Sequence, residues 1–290
     1  MGHWAIIADT IEQVSQEKFV VQQVDEIHGG DINRAYLLQS ADKKYFVKLN
    51  KADLLPMFEV EALALQALAD TKTLRIPQVI TYGIAENKAF LVLEYIPLFS
   101  LKPAAQKQLG RQLAELHKQK QNYFGWPQDN FIGHNKQINT PEGDWLSFWQ
   151  AQRLGAQLEL AEANGYHGKL QILGKELISK VPEFFKDYQP RASLLHGDLW
   201  SGNAAADENG LAVIYDPACY YGDRETDIAM TELFGGFGED FYTEYDEVYP
   251  LDSGYRLRKP LYNLYHILNH LNLFGRSYLG QAEAMMQQLL

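Results

Sequence analysis

At 290 residues, with 46% hydrophobic and 22% charged side chains, the chain has an ordinary globular composition and about twice the common single-domain length, so two lobes or one large domain is expected. A formal net charge of −11 argues against nucleic acid or an anionic membrane as partner, since both bind basic surfaces; a nucleotide, which needs only a local cluster of lysines, amides and metal ions, stays open. The one cysteine, Cys219, excludes an intrachain disulfide and favours a reducing compartment.

In chain order, the first nine residues have no basic segment ahead of their short apolar run, and no stretch nears the roughly 18 apolar residues that span a bilayer, so the chain reads as cytoplasmic. Residues 1–22 suggest a short helix. Residues 20–27 and 35–38 read as strands around a Gly29-Gly30-Asp31 turn, and 44–49 alternates, with Tyr45, Val47 and Leu49 on one face and Phe46 and Lys48 on the other. A helix over 56–70 opens with Pro56 at a permissive first-turn position. Two further β-like runs, 76–82 and 89–95, complete a group of five strands and one helix. Pro97 and Pro103 then mark a switch to helical periodicity, which divides the chain into an N-terminal lobe over 1–96 and a C-terminal lobe over 97–290. Helices over 106–118, 145–160 and 261–273 and a mainly helical stretch over 164–190 fill the second lobe. The expectation is an α+β, bilobal architecture with the active site in a cleft between a strand-rich and a helical lobe.

The chemistry concentrates in residues 193–227. His196-Gly197-Asp198 is followed by Asn203, then by two short strands, 204–206 and 211–215, about an Asp-Glu-Asn-Gly turn. Such a hairpin brings Asn203 and Asp216 to one end, with Asp198 a few residues away. An amide oxygen and two carboxylates in that spacing suit phosphoryl transfer: Asn203 and Asp216 as ligands of Mg2+, a hard ion that takes few protein oxygens, and Asp198 as acceptor of the attacking hydroxyl's proton. Singly, each residue is better explained by an Asx-rich turn; the linked spacing of all three reverses that. Upstream, Glu61 shares a helix face with Met57, Ala64, Leu65 and Leu68, an inward position that needs a cation, and Lys48 on the preceding strand is the natural one. That pair would anchor phosphates of ATP. Gly29 and Gly30 could cover phosphates through backbone amides, although a Gly-Gly hairpin turn is the commoner explanation of such a stretch.

These residues, with Gly29-Gly30 and Ala35-Tyr36, Phe46-Val47-Lys48, Met57-Phe58-Glu59-Val60-Glu61, Leu113-Ala114-Glu115-Leu116-His117, Asp129-Asn130-Phe131-Ile132-Gly133, Asp216-Pro217-Ala218 and the segments 145–153 and 262–275, make the chain resemble the fructosamine kinase (ketosamine-3-kinase) family of the protein-kinase-like superfamily, nearly end to end. The resemblance implies ATP- and Mg2+-dependent phosphorylation of the 3-hydroxyl of a ketosamine, the sugar adduct of an amine such as lysine. It implies Asp198 as proton acceptor, Asn203 and Asp216 as metal ligands and Lys48 with Glu61 as the phosphate anchor. It further implies Glu94, Tyr95 and Ile96 as the hinge meeting adenine, Trp200 as the ring packing on the sugar, and His270 as a histidine lining the substrate pocket. Asp31 stands where many members carry cysteine, so redox control through that loop is not carried over.

Two other readings stay open: a kinase of another small alcohol, such as an aminoglycoside, choline or homoserine, and a catalytically silent binding module. The second would have lost one of Lys48, Asp198, Asn203 or Asp216, and all four are present. A protein substrate is disfavoured, because only ten residues separate Asp216 from Asp227 and no Ala-Pro-Glu element follows. Asp223, Arg224, Glu225 and Asp227 read as structural, with Asp227 tying down the catalytic loop. The Trp145, Phe148 and Trp149 stripe and Cys219 read as packing. The sequence sets no oligomeric state.

Overall fold

The computed structural model describes residues 2–27 and 32–290. Helix α1 (His3–Ser15) buries Ile7, Ala8 and Ile11 at helical spacing. It ends well before residue 22 because Gln16 turns left-handed at φ 58° and its N–H caps the Glu12 carbonyl, while the Glu12 carboxylate accepts the Phe19 N–H at 2.6 Å. Strands β1 (Gln23–Ile27), β2 (Arg34–Gln39) and β3 (Lys44–Lys51) follow, then α2 (Leu55–Asp70), β4 (Val79–Ala85) and β5 (Lys88–Glu94). β4 starts later than the apolar run at Ile76 suggests, since Pro77 has no N–H to give a ladder.

The five strands form one antiparallel sheet in the order β1-β2-β3-β5-β4, in which Lys48 of β3 stands opposite Ala35 on one side and Leu91 on the other. Alternation along β3 sends Val47 into a core with Ile7, Ile11, Phe19, Leu38 and Phe90. Lys48, one residue on, faces the other way, toward α2, which packs on β4 and β5 and buries Phe58, Leu65 and Leu68. Two helices, not one, therefore accompany the sheet.

Beyond it come α3 (Pro103–His117), the hairpin β6 (Asn130–Ile132) and β7 (Asn135–Gln137), and α4 (Trp145–Phe148), whose first turn is capped by Asp144 accepting the Ser147 N–H at 2.7 Å. A π-helical turn over Trp149–Gly155 carries α4 into α5 (Ala156–Ala163). α6 (Lys169–Lys180), β8 (Ala192–Leu195), β9 (Ala204–Ala206), β10 (Ala212–Ile214), β11 (Tyr220–Asp223), α7 (Glu225–Leu233), α8 (Glu239–Val248), α9 (Tyr255–Phe274) and α10 (Leu279–Leu289) complete the chain. β6 pairs with β7, β8 with β11 and β9 with β10. α9 begins at Tyr255, not 261, and contains Pro260. Its early turns are held despite the proline by Arg258, which bonds Glu225 at 2.8 and 2.9 Å and Asp252 at 2.6 Å.

The chain forms two compact units. One runs through Lys102 and takes in Ala205–Asp216; the other comprises Pro103–Ala204 and Pro217–Leu290. The β9–β10 hairpin, which a single division at 96/97 would leave in the C-terminal part, belongs with the first unit because Phe99 and Ala206 exchange backbone bonds of 2.8 Å in both directions and the Ile214 N–H reaches the Arg75 carbonyl at 3.2 Å. Among the described residues no helix is long and apolar enough to cross a membrane.

Helices α3 and α8 pack closely at Gly110, where a Cβ would run into the backbone carbonyl of Phe241. Gly110→Ala is expected to lower the unfolding free energy by roughly 2–3 kcal/mol, as overpacking against backbone does, in urea titrations read by tryptophan fluorescence.

Candidate active site

In the first unit the Lys48 ammonium is buried and lies 2.6 Å from Glu61 Oε1 and 2.6 Å from Asp216 Oδ1. The strand alternation and the helix face read from the sequence meet here: β3 turns Lys48 toward α2, and α2 turns Glu61 back. Burial opposes the ammonium, but the two carboxylates outweigh it and hold the Lys48 pKa above its ordinary value. Glu61 is pushed up by burial, with Asp216 adding to the rise and Lys48 countering it. Asp216 sits in the left-handed region at φ 57°, a conformation that short polar residues tolerate and that costs about 1 kcal/mol or more for others. At the end of β5, Glu94 pairs with Arg75, with Nη1 to Oε2 at 2.9 Å, and accepts the Gln78 N–H at 3.2 Å; Tyr95 and Ile96 follow, half-buried and outside the strand. Gly29 and Gly30 lie outside the described residues.

In the second unit β8 delivers His196, Gly197 and Asp198. The Asp227 carboxylate, buried in the first turn of α7, accepts the His196 N–H at 2.7 Å and the Gly197 N–H at 2.9 Å, and meets His117 Nε2 at 3.1 Å. Burial would raise the Asp227 pKa, yet His117 and the backbone donors hold it below the ordinary carboxylate value. His117 is itself lowered by burial, so its neutral ring donates from Nε2 to Asp227 and accepts at Nδ1 from Tyr245 Oη at 2.7 Å. Arg224 donates to the same Tyr245 oxygen at 3.1 Å, which completes a chain from Arg224 to the loop at His196 and Gly197. Gly197 has φ 82°, and a Cβ there would strike the Ala218 carbonyl; the Ala218 N–H in turn donates to the His196 carbonyl at 2.9 Å.

Asn203 donates its amide NH2 to the Asp198 carbonyl at 2.9 Å and sits 3.4 Å from Asp198 Oδ2. Because a backbone carbonyl can only accept, this fixes the amide orientation and makes Oδ1 the atom Asn203 has left to offer a hard cation. Among the described residues no three His, Cys, Asp or Glu side chains gather as a metal cage. An amide oxygen is a donor that suits magnesium, which takes most of its shell from phosphate and water.

Trp200 is 37% exposed, and Phe234 lies 6.4 Å from it, ring to ring. His270, half-buried on α9, donates from Nδ1 to the His266 carbonyl at 2.8 Å and touches Phe234, Phe274 and Tyr278.

Arg153 escaped the sequence reading. It lies buried in the π-helical turn, 4.5 Å from the Phe148 ring and 4.0 Å from that of Tyr220, and bonds the Ile138 carbonyl at 2.7 Å and Asn139 Oδ1 at 2.8 Å. Asn139 and Gln137 converge on Asn130 Oδ1, and Asn130 and Gln137 donate to the carbonyls of Cys219 and Ala218 at 2.8 and 3.1 Å. The Asp-Asn-Phe-Ile-Gly segment thus braces the chain just beyond Asp216. A cation inside the Trp145, Phe148 and Trp149 stripe was the available signal.

Asp227→Asn keeps the shape of the Asp227 side chain but replaces a carboxylate oxygen facing two N–H donors and His117 by an NH2 group. A loss of about 3 kcal/mol of stability is expected in denaturant unfolding, the usual cost of breaking a buried charged network. A pH effect follows from His266, whose pKa burial pushes down to about 3. With the unfolded histidine near 6.5, the unfolded chain binds the proton first, so His266's contribution is complete above pH 6.5 and declines as pH falls toward 3. Unfolding free energy should drop by about 2 kcal/mol between pH 7.5 and 5 on this account, and His266→Leu should flatten that slope.

Comparison with known proteins accords with this geometry. The fructosamine kinase family model matches residues 3–290. A probable ketoamine kinase of Synechocystis sp. is 44% identical over 288 residues, covering 99% of this chain and 97% of the relative. A chloroplastic protein-ribulosamine 3-kinase of Arabidopsis thaliana is 41% identical, covering 93% and 83%. The crystal structure of a "Putative fructosamine-3-kinase" from Haemophilus somnus 129PT superposes with a TM-score of 0.92 at 29% identity, covering 100% and 98% of the two chains. With its antiparallel five-stranded sheet followed by a largely helical part, the fold is protein-kinase-like, and the chain belongs to the fructosamine kinase family.

Proposed function

We propose that the chain transfers the γ-phosphate of ATP to the 3-hydroxyl of a ketosamine, a fructosamine or ribulosamine adduct of an amine such as lysine. The observation that carries this is the pair of contacts that Lys48 makes, to Glu61 and to Asp216, in a chain whose relatives, matched over nearly its whole length, are ketoamine and ribulosamine kinases.

Lys48 presents its ammonium to phosphate oxygens, which compete with Asp216 for it while Glu61 keeps it in place. Asp198 accepts the proton of the 3-hydroxyl at a carboxylate oxygen, its backbone fixed through His196 and Gly197 by Asp227. Asn203 Oδ1 and Asp216 would hold magnesium, which would neutralise charge on the phosphate oxygens. The backbone at Glu94, Tyr95 and Ile96 faces adenine, Trp200 packs on the sugar, and His270 lines the substrate pocket. The first unit is the nucleotide-binding part and the second carries the proton acceptor and the substrate contacts. A cytoplasmic setting suits the single cysteine, Cys219, which is buried and whose thiol burial holds well above its ordinary pKa.

A coupled ADP-release assay over fructosyl-lysine, ribulosyl-lysine, free sugars and kanamycin tests the reading. Turnover of a ketosamine is expected, with Asp198→Asn slower by about 100-fold or more at unchanged KM for ATP. Turnover of the antibiotic and of no ketosamine would reject the substrate class, and Asp198→Asn activity within about tenfold of wild type would reject the assigned proton acceptor.

A further inference from the structure

Five rings stand in series beside the catalytic loop. Trp200 follows Asp198 by two positions, and its indole is seated over Gly202, where any Cβ would collide with its six-membered ring. From it the row passes to Phe234 at 6.4 Å, to His270 at 4.8 Å, and to Phe274 and Tyr278 at 5.3 and 5.2 Å from His270. The rings come from three separate segments, and two of them, Trp200 and Phe274, are exposed at 37% and 50%.

Three features give the row a preference for positive charge. Phe234 caps the C-terminal end of α7 and Phe274 is the last residue of α9, so two helix carboxyl ends, each with partial negative charge, reach it. Aromatic faces attract cations. His270 must carry its proton on Nδ1, because the His266 carbonyl it faces can only accept; burial keeps the ring neutral, and Nε2 is then an acceptor. Arg276, the cation of the turn between Phe274 and Tyr278, is exposed.

A ketosamine has a secondary amine, protonated at neutral pH, three bonds from C3. We propose that Phe234, Phe274 and Tyr278 form a subsite for this ammonium and the alkyl stem beyond it, with His270 Nε2 accepting an ammonium N–H. The proposal rests on the ketosamine reading and extends it: these residues select an amine-bearing ketose over a neutral one.

The test compares an N-alkyl ketosamine with its 1-O-alkyl ether, which has the same shape without the charge. Wild type is expected to show a KM for the amine about tenfold or more below that for the ether, a ratio worth roughly 1.4 kcal/mol. Phe274→Ala, at an exposed position, should raise the amine KM about five- to tenfold while the ether KM stays within about twofold and the KM for ATP is unchanged. Equal wild-type KM values for the two compounds would overturn the subsite whatever the variants do, and so would a parallel rise for both in Phe274→Ala. Wild type that turns over neither compound but phosphorylates a different alcohol would instead reject the ketosamine reading.

Discussion

The Asp227 carboxylate is the constraint on which the catalytic loop depends. A buried anion is unfavourable unless donors surround it, and here two backbone N–H groups, a histidine and the start of a helix do so. That arrangement works in both directions: the donors stabilise the charge, and the charge fixes two successive peptide units immediately before Asp198. Neutral His117 passes the constraint on to Tyr245 in α8, so the position of the loop is tied to the packing of α3 against α8. If Asp198 is the proton acceptor proposed above, it must sit within hydrogen-bond reach of its hydroxyl, and a displacement of about 1 Å can cost a hundredfold in rate. The network is therefore better understood as a means of holding geometry than as a source of net stability.

The first unit meets a similar problem with the opposite sign. Lys48 is a buried cation with two carboxylates at 2.6 Å, which leaves the trio with an excess negative charge. Such a site is unsuited to a further anion unless one carboxylate turns to another partner. Asp216 is the one placed to do so: its side chain is 47% exposed, against 14% for Glu61, and it follows a hairpin held by backbone bonds to Phe99 and Arg75. Glu61, on the inner face of α2, has no comparable freedom. The two carboxylates thus differ, Glu61 as the enclosed counter-ion of Lys48 and Asp216 as the exposed one.

Much of this was legible in the sequence, for a physical reason. Period-two alternation put Lys48 opposite Val47, and the 3.6-residue step put Glu61 among Met57, Leu65 and Leu68, so the ion pair followed from two local patterns. Asp227 could be suspected as a tie to the loop from its proximity to a short connection. His117 could be read only as a structural histidine, because its contact with Asp227 spans 110 positions and no local pattern encodes it. The same holds for the bracing of the Ala218 and Cys219 carbonyls by Asn130 and Gln137, and for Arg153, whose π-helical turn has no periodic signature. Helix ends were misplaced where a single residue decides them: Gln16 by a left-handed turn, and the start of α9 by the side-chain bonds of Arg258. The association of β9 and β10 with the first unit depended on backbone bonds to Arg75 and Phe99, which side-chain patterning does not announce.

The stretch between Asp216 and Asp227 bears on what kind of acceptor the chain can serve. A kinase that docks a peptide needs a segment there able to lie open as a platform. Here Tyr220–Asp223 pairs with β8 as an antiparallel strand. Asp223 accepts hydroxyls from Tyr188 and Tyr262, and Glu225 is clamped by Arg258 with 3% of the arginine side chain exposed. To release this segment would strip partners from two buried carboxylates at once, each costing several kcal/mol. The segment is therefore a fixed wall rather than a movable platform, which favours an acceptor small enough to reach Asp198 without displacing it.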